Sequence, residues 1–235
     1  LTSYKFTHVF DLQNSSRTKF YSKHILSKCV WSSTIAILEH GQKKSDFDEE
    51  PVLKRMEIQL KKSGIKTLNV KKANLNWAIV NIRNITKNYF NRKYILIFPF
   101  CSPKHANKKW PYYRILISQL KSKYNRKYDI VLAPGPNEIE EARLLNAQTI
   151  LDKDKSLKID QLISLIKDAS FIIANDTGPA HISSHLNKAG IVLFGSHTSA
   201  RKVSIETDKF KAISVRDLNL LKADAVMEEI KKVLN

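Results

Sequence analysis

The chain has 235 residues, 43% of them hydrophobic, enough for one large domain or two small ones with real cores. No run of about 18 apolar residues occurs, so no transmembrane helix is expected, and two cysteines far apart in sequence, Cys29 and Cys101, give neither a disulfide framework nor zinc spacing and fit a reducing cytoplasm. The formal net charge of +18 favours an anionic partner. The lysines are scattered, and basic–aromatic alternation is sparse. Attraction to phosphate or to a membrane surface therefore ranks ahead of nucleic-acid binding. The same excess also fits the Lys-, Asn- and Ile-rich composition that an AT-rich genome imposes.

In chain order, Leu1-Thr-Ser-Tyr-Lys-Phe6 lacks the apolar core of a signal peptide, and residues 6–12 read as a strand. Residues 15–27 read as a helix with Phe20, Ile25 and Leu26 on an apolar side. A further apolar segment covers 35–38. The acidic run Asp46-Phe-Asp-Glu-Glu50, before Pro51, reads as a helix start. Leu53, Met56 and Leu60 then follow at helical spacing, and Gly64 suits the stop. A helix is expected over 75–90, with Trp77, Ile82, Ile85 and Phe90 in the core. The polar stretch 88–93 reads as a boundary between two domains.

Beyond it, Tyr-Ile-Leu-Ile-Phe over 94–98 is a strand and 99–109 a loop. Trp110-Pro-Tyr-Tyr opens a helix through Ile115, Leu116 and Leu120. Residues 129–133 read as a strand, Pro134-Gly-Pro-Asn137 as a turn, and 138–145 and 157–168 as helices. Strand 171–174 leads through Asn175-Asp-Thr-Gly178 into a helix beginning on Pro179, which has no amide proton to leave unpaired. That helix carries His181, Ile182 and Leu186, and strand 191–194 follows, ending at Gly195. An amphipathic helix over 218–234, through Leu221, Val226, Ile230 and Val233, closes the chain. Alternating strands and helices from 94 onward imply a parallel α/β sheet covered on both faces. Residues 1–90 read as part of another α/β unit.

Within the strand–turn–helix at 171–186, the amides of Thr177 and Gly178 lie at the positive helix end, open to a phosphate. Their place at the carboxyl end of a parallel strand suggests a nucleotide or nucleotide-sugar site. The competing reading is an ordinary cap, since Asp and Thr commonly precede helices.

Four segments, taken together, carry a family resemblance. Asn175-Asp-Thr-Gly-Pro-Ala-His181, followed by Ile191-Val-Leu-Phe-Gly195, closely resembles the donor-site signature of family 9 glycosyltransferases. These are the bacterial heptosyltransferases that build the inner core of lipopolysaccharide. Phe10-Asp-Leu-Gln-Asn-Ser-Ser-Arg17 resembles the family's Asp-Leu-Gln-rich strand end. Pro99-Phe-Cys-Ser102 with Lys108-Lys-Trp-Pro111 resembles the element opening the donor domain. Ala133-Pro-Gly-Pro-Asn-Glu138 resembles the turn and acid at the nucleoside.

The resemblance implies an α/β fold of the GT-B type, two Rossmann-like domains with parallel sheets. Residues 1–90 would be an incomplete amino-terminal, acceptor-side domain, and 91–235 the nucleotide-sugar domain with its closing helix. It implies inverting, metal-independent transfer of a heptose or related sugar from an ADP-heptose-like donor to a lipid-linked glycan such as a lipopolysaccharide core. No cofactor, metal or nucleic acid is expected. A cytoplasmic setting follows, peripheral to the anionic inner face of the membrane.

Without a metal, the leaving diphosphate must be met by cations and helix-end amides. Lys108 matches the family lysine and is assigned that contact, with Lys109 the weaker claimant. Thr177 and Gly178 supply amides, and the Thr177 hydroxyl is a further donor. Asp176 orders the turn or meets a sugar hydroxyl, and is grouped with Lys108 as catalytic. Glu138 is assigned to ribose, against the plain alternative of a first-turn helix acid. His181 supports the loop or contacts phosphate rather than acting as general base. Ser102 touches phosphate from the opposite loop, Gln13 and Arg17 face the cleft on the acceptor side, against the alternatives of a donor contact or plain structural support, and His105 is exposed without a role. The family's acceptor-activating aspartate comes from a Gly-Asp loop ahead of anything matched here. Asp11 belongs to a later element, so the base is expected outside this chain. Two readings remain: part of a longer transferase, or a truncated, non-catalytic nucleotide-sugar-binding protein.

Overall fold

The computed structural model describes residues 4–67, 72–90 and 92–234, so expectations resting on Leu1 to Ser3 and Asn91 lie outside the described residues. The chain divides into two units, residues 1–71 with 202–204, and residues 72–201 with 205–235.

In the first unit, β1 (His8–Phe10) and β2 (Val30–Ser32) pair in parallel, joined through α1 (Ser16–His24). Ser15 and Thr18 form a reciprocal capping box that starts α1. α2 (Thr34–Ile37), α3 (Lys44–Asp48) and α4 (Val52–Lys62) follow. The acidic run does not start α4. It ends the short α3, and Pro51 stands between the two helices because it cannot continue a helix hydrogen-bond ladder. Gly64, at φ +79°, stops α4 as expected, with Ile65 N donating to Leu60 O and Gly64 N to Lys61 O. Phe20 is exposed rather than packed.

The buried residue of α4 is a polar one. Gln59 donates to the carbonyls of Asp11 (2.8 Å) and Ser32 (3.0 Å) at the ends of β1 and β2, and accepts from Asn14 Nδ2. Asn14 in turn accepts from Thr34 N. One glutamine thus satisfies the backbone where both strands stop, a position at which unpaired carbonyls would be costly.

In the second unit, the helix expected over 75–90 is replaced by a 3-10 turn, Asn76–Ala78, and a short α5 (Arg83–Thr86). The Asn74 side chain accepts from Asn76 N and that of Asn81 from Arg83 N, turn contacts that compete with a continuous helix. Ile82 is buried as expected, Ile85 and Phe90 are half-buried, and Trp77 is 84% exposed, so the core assignment of Trp77 is wrong. Val80 N donates to Ser164 Oγ and Tyr89 OH to Leu151 O, so residues 72–90 pack with the elements that follow them.

The elements that follow along the chain are β3 (Tyr94–Phe98), α6 (Tyr113–Tyr124), β4 (Asp129–Leu132), α7 (Ile139–Arg143), β5 (Gln148–Thr149), α8 (Ile159–Asp168), β6 (Phe171–Asn175), α9 (Gly178–His185), β7 (Gly190–Phe194), α10 (Ala200–Val203), β8 (Phe210–Ser214) and α11 (Ala223–Leu234), the last two residues of α10 falling in the first unit. The closing helix is shorter than expected: Leu218–Leu220 form a 3-10 turn before it, and Val233 is exposed.

All six strands are parallel in the order β5-β4-β3-β6-β7-β8. β3, β6 and β7 are buried along their whole length, as strands covered on both faces must be. One face packs Ile95, Ile97 and Ile173 against Leu116 and Leu120 of α6 and Val226 and Ile230 of α11. Chain order runs outward from β3 in one direction and from β6 in the other. The two strands therefore flank a topological switch point, where a crevice opens at their carboxyl ends.

Candidate functional site

The residues leaving β3 and β6 meet at that crevice. Asn175, the last residue of β6, is fully buried. Its Nδ2 donates to Pro99 O at 2.9 Å, and its Oδ1 accepts from Tyr113 OH at 3.0 Å and Trp110 N at 3.4 Å. The Trp110 indole donates to Leu221 O at 2.7 Å. Asn175 thus pins both ends of the 99–109 loop. Most of that loop is a 3-10 segment, Pro103–Lys108.

Asp176 follows, 3% exposed, and three side chains converge on its carboxylate. Lys108 Nζ lies 2.7 Å from Oδ2, His197 Nε2 3.1 Å from Oδ2, and His181 Nε2 3.4 Å from Oδ1. Burial pushes the carboxyl pKa up, but His181, the Lys108 ammonium and His197 outweigh it and hold the group well below the usual carboxylate range. Asp176 is therefore an anion that anchors a cation at the crevice.

Thr177 has the extended backbone of an N-cap, φ −142°, and its hydroxyl donates to Asn175 O rather than standing free. α9 begins at Gly178, one residue before Pro179. A Cβ placed on Gly178 would meet nothing within 4 Å among the described residues, so their packing does not demand a glycine there. Open space lies at the positive end of the helix.

Beside this turn is a cavity of ≈ 350 Å³, within the size range of small-molecule sites. Its walls are mainly apolar (Phe98, Phe100, Ala133, Pro134, Leu157, Leu162), with Ser102, Glu138 and Thr177 as polar lining. Glu138 N and Oε2 bracket Gly135: Oε2 accepts from Gly135 N at 2.8 Å, and Glu138 N donates to Gly135 O at 3.0 Å. One Glu138 oxygen therefore shapes the Pro-Gly-Pro turn. Lys109 is drawn off to Glu141 and lies over the Phe100 ring at 5.7 Å.

Of the expected site residues, Lys108, Asp176 and His181 form one cluster, and Ser102, Glu138 and Thr177 line the adjoining cavity. Gln13 and Arg17 are exposed in the first unit, near the β1 end, where Asp11 Oδ1 accepts from the amides of Gln13 and Asn14. Asp11 is thus a turn residue. His105 is exposed, and its carbonyl accepts from Cys101 Sγ. His197 was missed. Its signal was position: it lies just beyond β7, beside β6, at the same end of a parallel sheet.

The profile of glycosyltransferase family 9 (heptosyltransferase) matches residues 1–229. No functionally curated protein matches the chain. Among solved structures, E. coli heptosyltransferase WaaC with ADP superposes with a TM-score of 0.67 at 18% identity, over 99% of this chain and 74% of that one. The family 9 glycosyltransferase of Veillonella parvula gives 0.71 at 13%, over 96% and 72%. E. coli ADP-heptose heptosyltransferase II gives 0.57 at 21%, over 78% and 61%. The likeness places the α/β architecture among GT-B folds with parallel sheets, and with the match to residues 1–229 the chain belongs to glycosyltransferase family 9, the heptosyltransferases.

Proposed function

We propose that this protein transfers a heptose or related sugar from an ADP-heptose-like donor to a lipid-linked glycan acceptor, with inversion and without a metal ion. The observation that carries the reading is the Lys108 ammonium held over Asp176 at the β3/β6 switch point, beside the open N-terminus of α9. WaaC, similar in fold, was solved with ADP and with an ADP-2-deoxy-2-fluoro heptose. Here the apolar cavity would take the nucleobase, the remaining Glu138 oxygen a ribose hydroxyl, and Ser102 a phosphate.

In the reaction, an acceptor hydroxyl oxygen bonds to the anomeric carbon as that carbon's bond to the β-phosphate oxygen breaks on the opposite face. The hydroxyl proton leaves to a base, and the bond pair leaves with ADP, whose terminal phosphate gains charge. Lys108 and the amides of Thr177 and Gly178 would meet that charge where it develops. Asp176 holds Lys108, and His181 reaches the same locus. Gln13 and Arg17 are assigned to the acceptor side, and the basic surface to the anionic membrane that carries the acceptor.

The test is incubation with ADP-heptose and a lipid-linked core acceptor in the presence of EDTA, with the product's anomeric configuration read by NMR. An inverted glycoside and released ADP support the reading. Donor binding without transfer supports instead a non-catalytic nucleotide-sugar-binding role.

A further inference from the structure

His197 has a geometry that its packing alone does not explain. Its side chain is 7% exposed and stacks on the fully buried Phe194 ring, centroids 5.9 Å apart and planes at 16°. Nδ1 is buried without a hydrogen-bond partner among the described residues. An apolar ring would fill the same space without leaving a buried polar atom unsatisfied. What offsets the unsatisfied atom is Nε2, 3.1 Å from Asp176 Oδ2. An ionised carboxylate only accepts, so Nε2 carries the proton.

Oδ2 is also the oxygen that takes Lys108. With two donors on Oδ2 and His181 beside Oδ1, the carboxylate cannot turn without breaking a contact. The His197 donation also draws off part of the Asp176 charge. Lys108 is left less fully neutralised, and more of its field reaches toward the crevice.

We propose that His197 is a positioning residue: through Nε2 it fixes and partly neutralises Asp176, so that Lys108, held on the same carboxylate oxygen, keeps more of its charge for the donor diphosphate. This inference rests on the donor-site reading of the β3/β6 crevice.

The experiment is calorimetric titration of the full chain with ADP and with adenosine, which has the base and ribose but no phosphate. His197→Ala is expected to weaken ADP binding about tenfold, the equivalent of 1.4 kcal/mol, and to leave adenosine binding unchanged. His197→Gln, whose amide nitrogen can stand where Nε2 stands, is expected to recover most of the loss. In an Asp176→Asn background, His197→Ala is expected to add less than a twofold further loss, because the residue it acts through no longer carries charge.

Equal losses for ADP and adenosine, or failure of Gln to recover affinity, would make His197 a packing residue and overturn the inference. So would a full additional loss in the Asp176→Asn background. Unaltered ADP binding by His197→Ala overturns it while leaving the donor site standing. Absence of ADP binding by the parent chain overturns both.

Discussion

Lys108 and Asp176 are separated by 68 positions in sequence and by 2.7 Å between Nζ and Oδ2. One comes from the loop after β3, the other from the turn after β6, and only the sheet order β4-β3-β6-β7 makes those loops neighbours. The pair thus converts topology into electrostatics. A cation is held, partly exposed, at a helix N-terminus, where an anionic leaving group would find both.

Gly178 separates ligand binding from folding. No neighbour crowds a Cβ there and its φ is not positive, so Gly178→Ala should leave stability unchanged or raise it by up to about 1 kcal/mol. The added methyl would occupy the space at the N-terminus of α9, so ADP affinity should fall about tenfold or more. Thermal melts alongside ADP titration check both halves. A variant that is destabilised and still binds ADP normally would contradict this assignment.

Asp176 gives a pH signature. Its pKa is depressed in the folded state, so its stabilising contribution is fully present above the ordinary carboxylate value, about 3.9, and is lost as pH falls through the lower folded value. Asp176→Asn should therefore be less stable than the parent near neutral pH, with the gap shrinking below about pH 4. Urea unfolding across that range measures it. A gap that stays constant to low pH would show that the loss is not electrostatic.

Asn175 tests the scaffold beneath the site. Asn175→Leu keeps the branching and heavy-atom count of the side chain but leaves Pro99 O, the Tyr113 hydroxyl and Trp110 N without their buried partner. A loss of about 2–4 kcal/mol is expected from these unsatisfied groups, together with weaker ADP binding as the 99–109 loop comes free. Denaturant midpoints with unchanged slopes would establish it.

Gly190, at the start of β7, reports on the sheet alone. A Cβ there would stand 2.5 Å from Ile172 O and 2.8 Å from the Phe210 ring. Gly190→Ala should cost about 3 kcal/mol through overpacking between β6 and β8, read as a lowered midpoint in denaturant. A variant of parental stability would mean that the strands can separate more easily than this packing implies.

Much of the second unit was legible because its strands are continuous apolar runs bounded by turn residues. Tyr94–Phe98 and Phe171–Asn175 are buried on both faces, and their sequences leave little else to choose. β8 was not legible. Phe210–Ser214 has a half-exposed burial pattern and contains Lys211, so it carries no apolar run. β5 is two residues long and takes its identity from pairing with β4.

Over 75–90 the apolar spacing points to a helix, but the side chains of Asn74 and Asn81 bind nearby amides and break it. At the site, motif order brought Lys108, Glu138 and Asp176 to notice. His197 follows no helical or strand period, and its role exists only through a contact that the fold creates. Gln59 was hidden differently: the apolar stripe of α4 drew attention to Leu53, Met56 and Leu60, while the buried position holds the polar residue that closes β1 and β2.

The central claim is that Lys108 at the β3/β6 crevice holds the donor diphosphate, and calorimetric titration of ADP into the parent chain and into Lys108→Ala tests it most directly. Saturable binding by the parent, weakened about 10- to 100-fold in the variant as expected for a charge-assisted contact, is the predicted result. No binding by the parent, or equal affinity in both proteins, would contradict it.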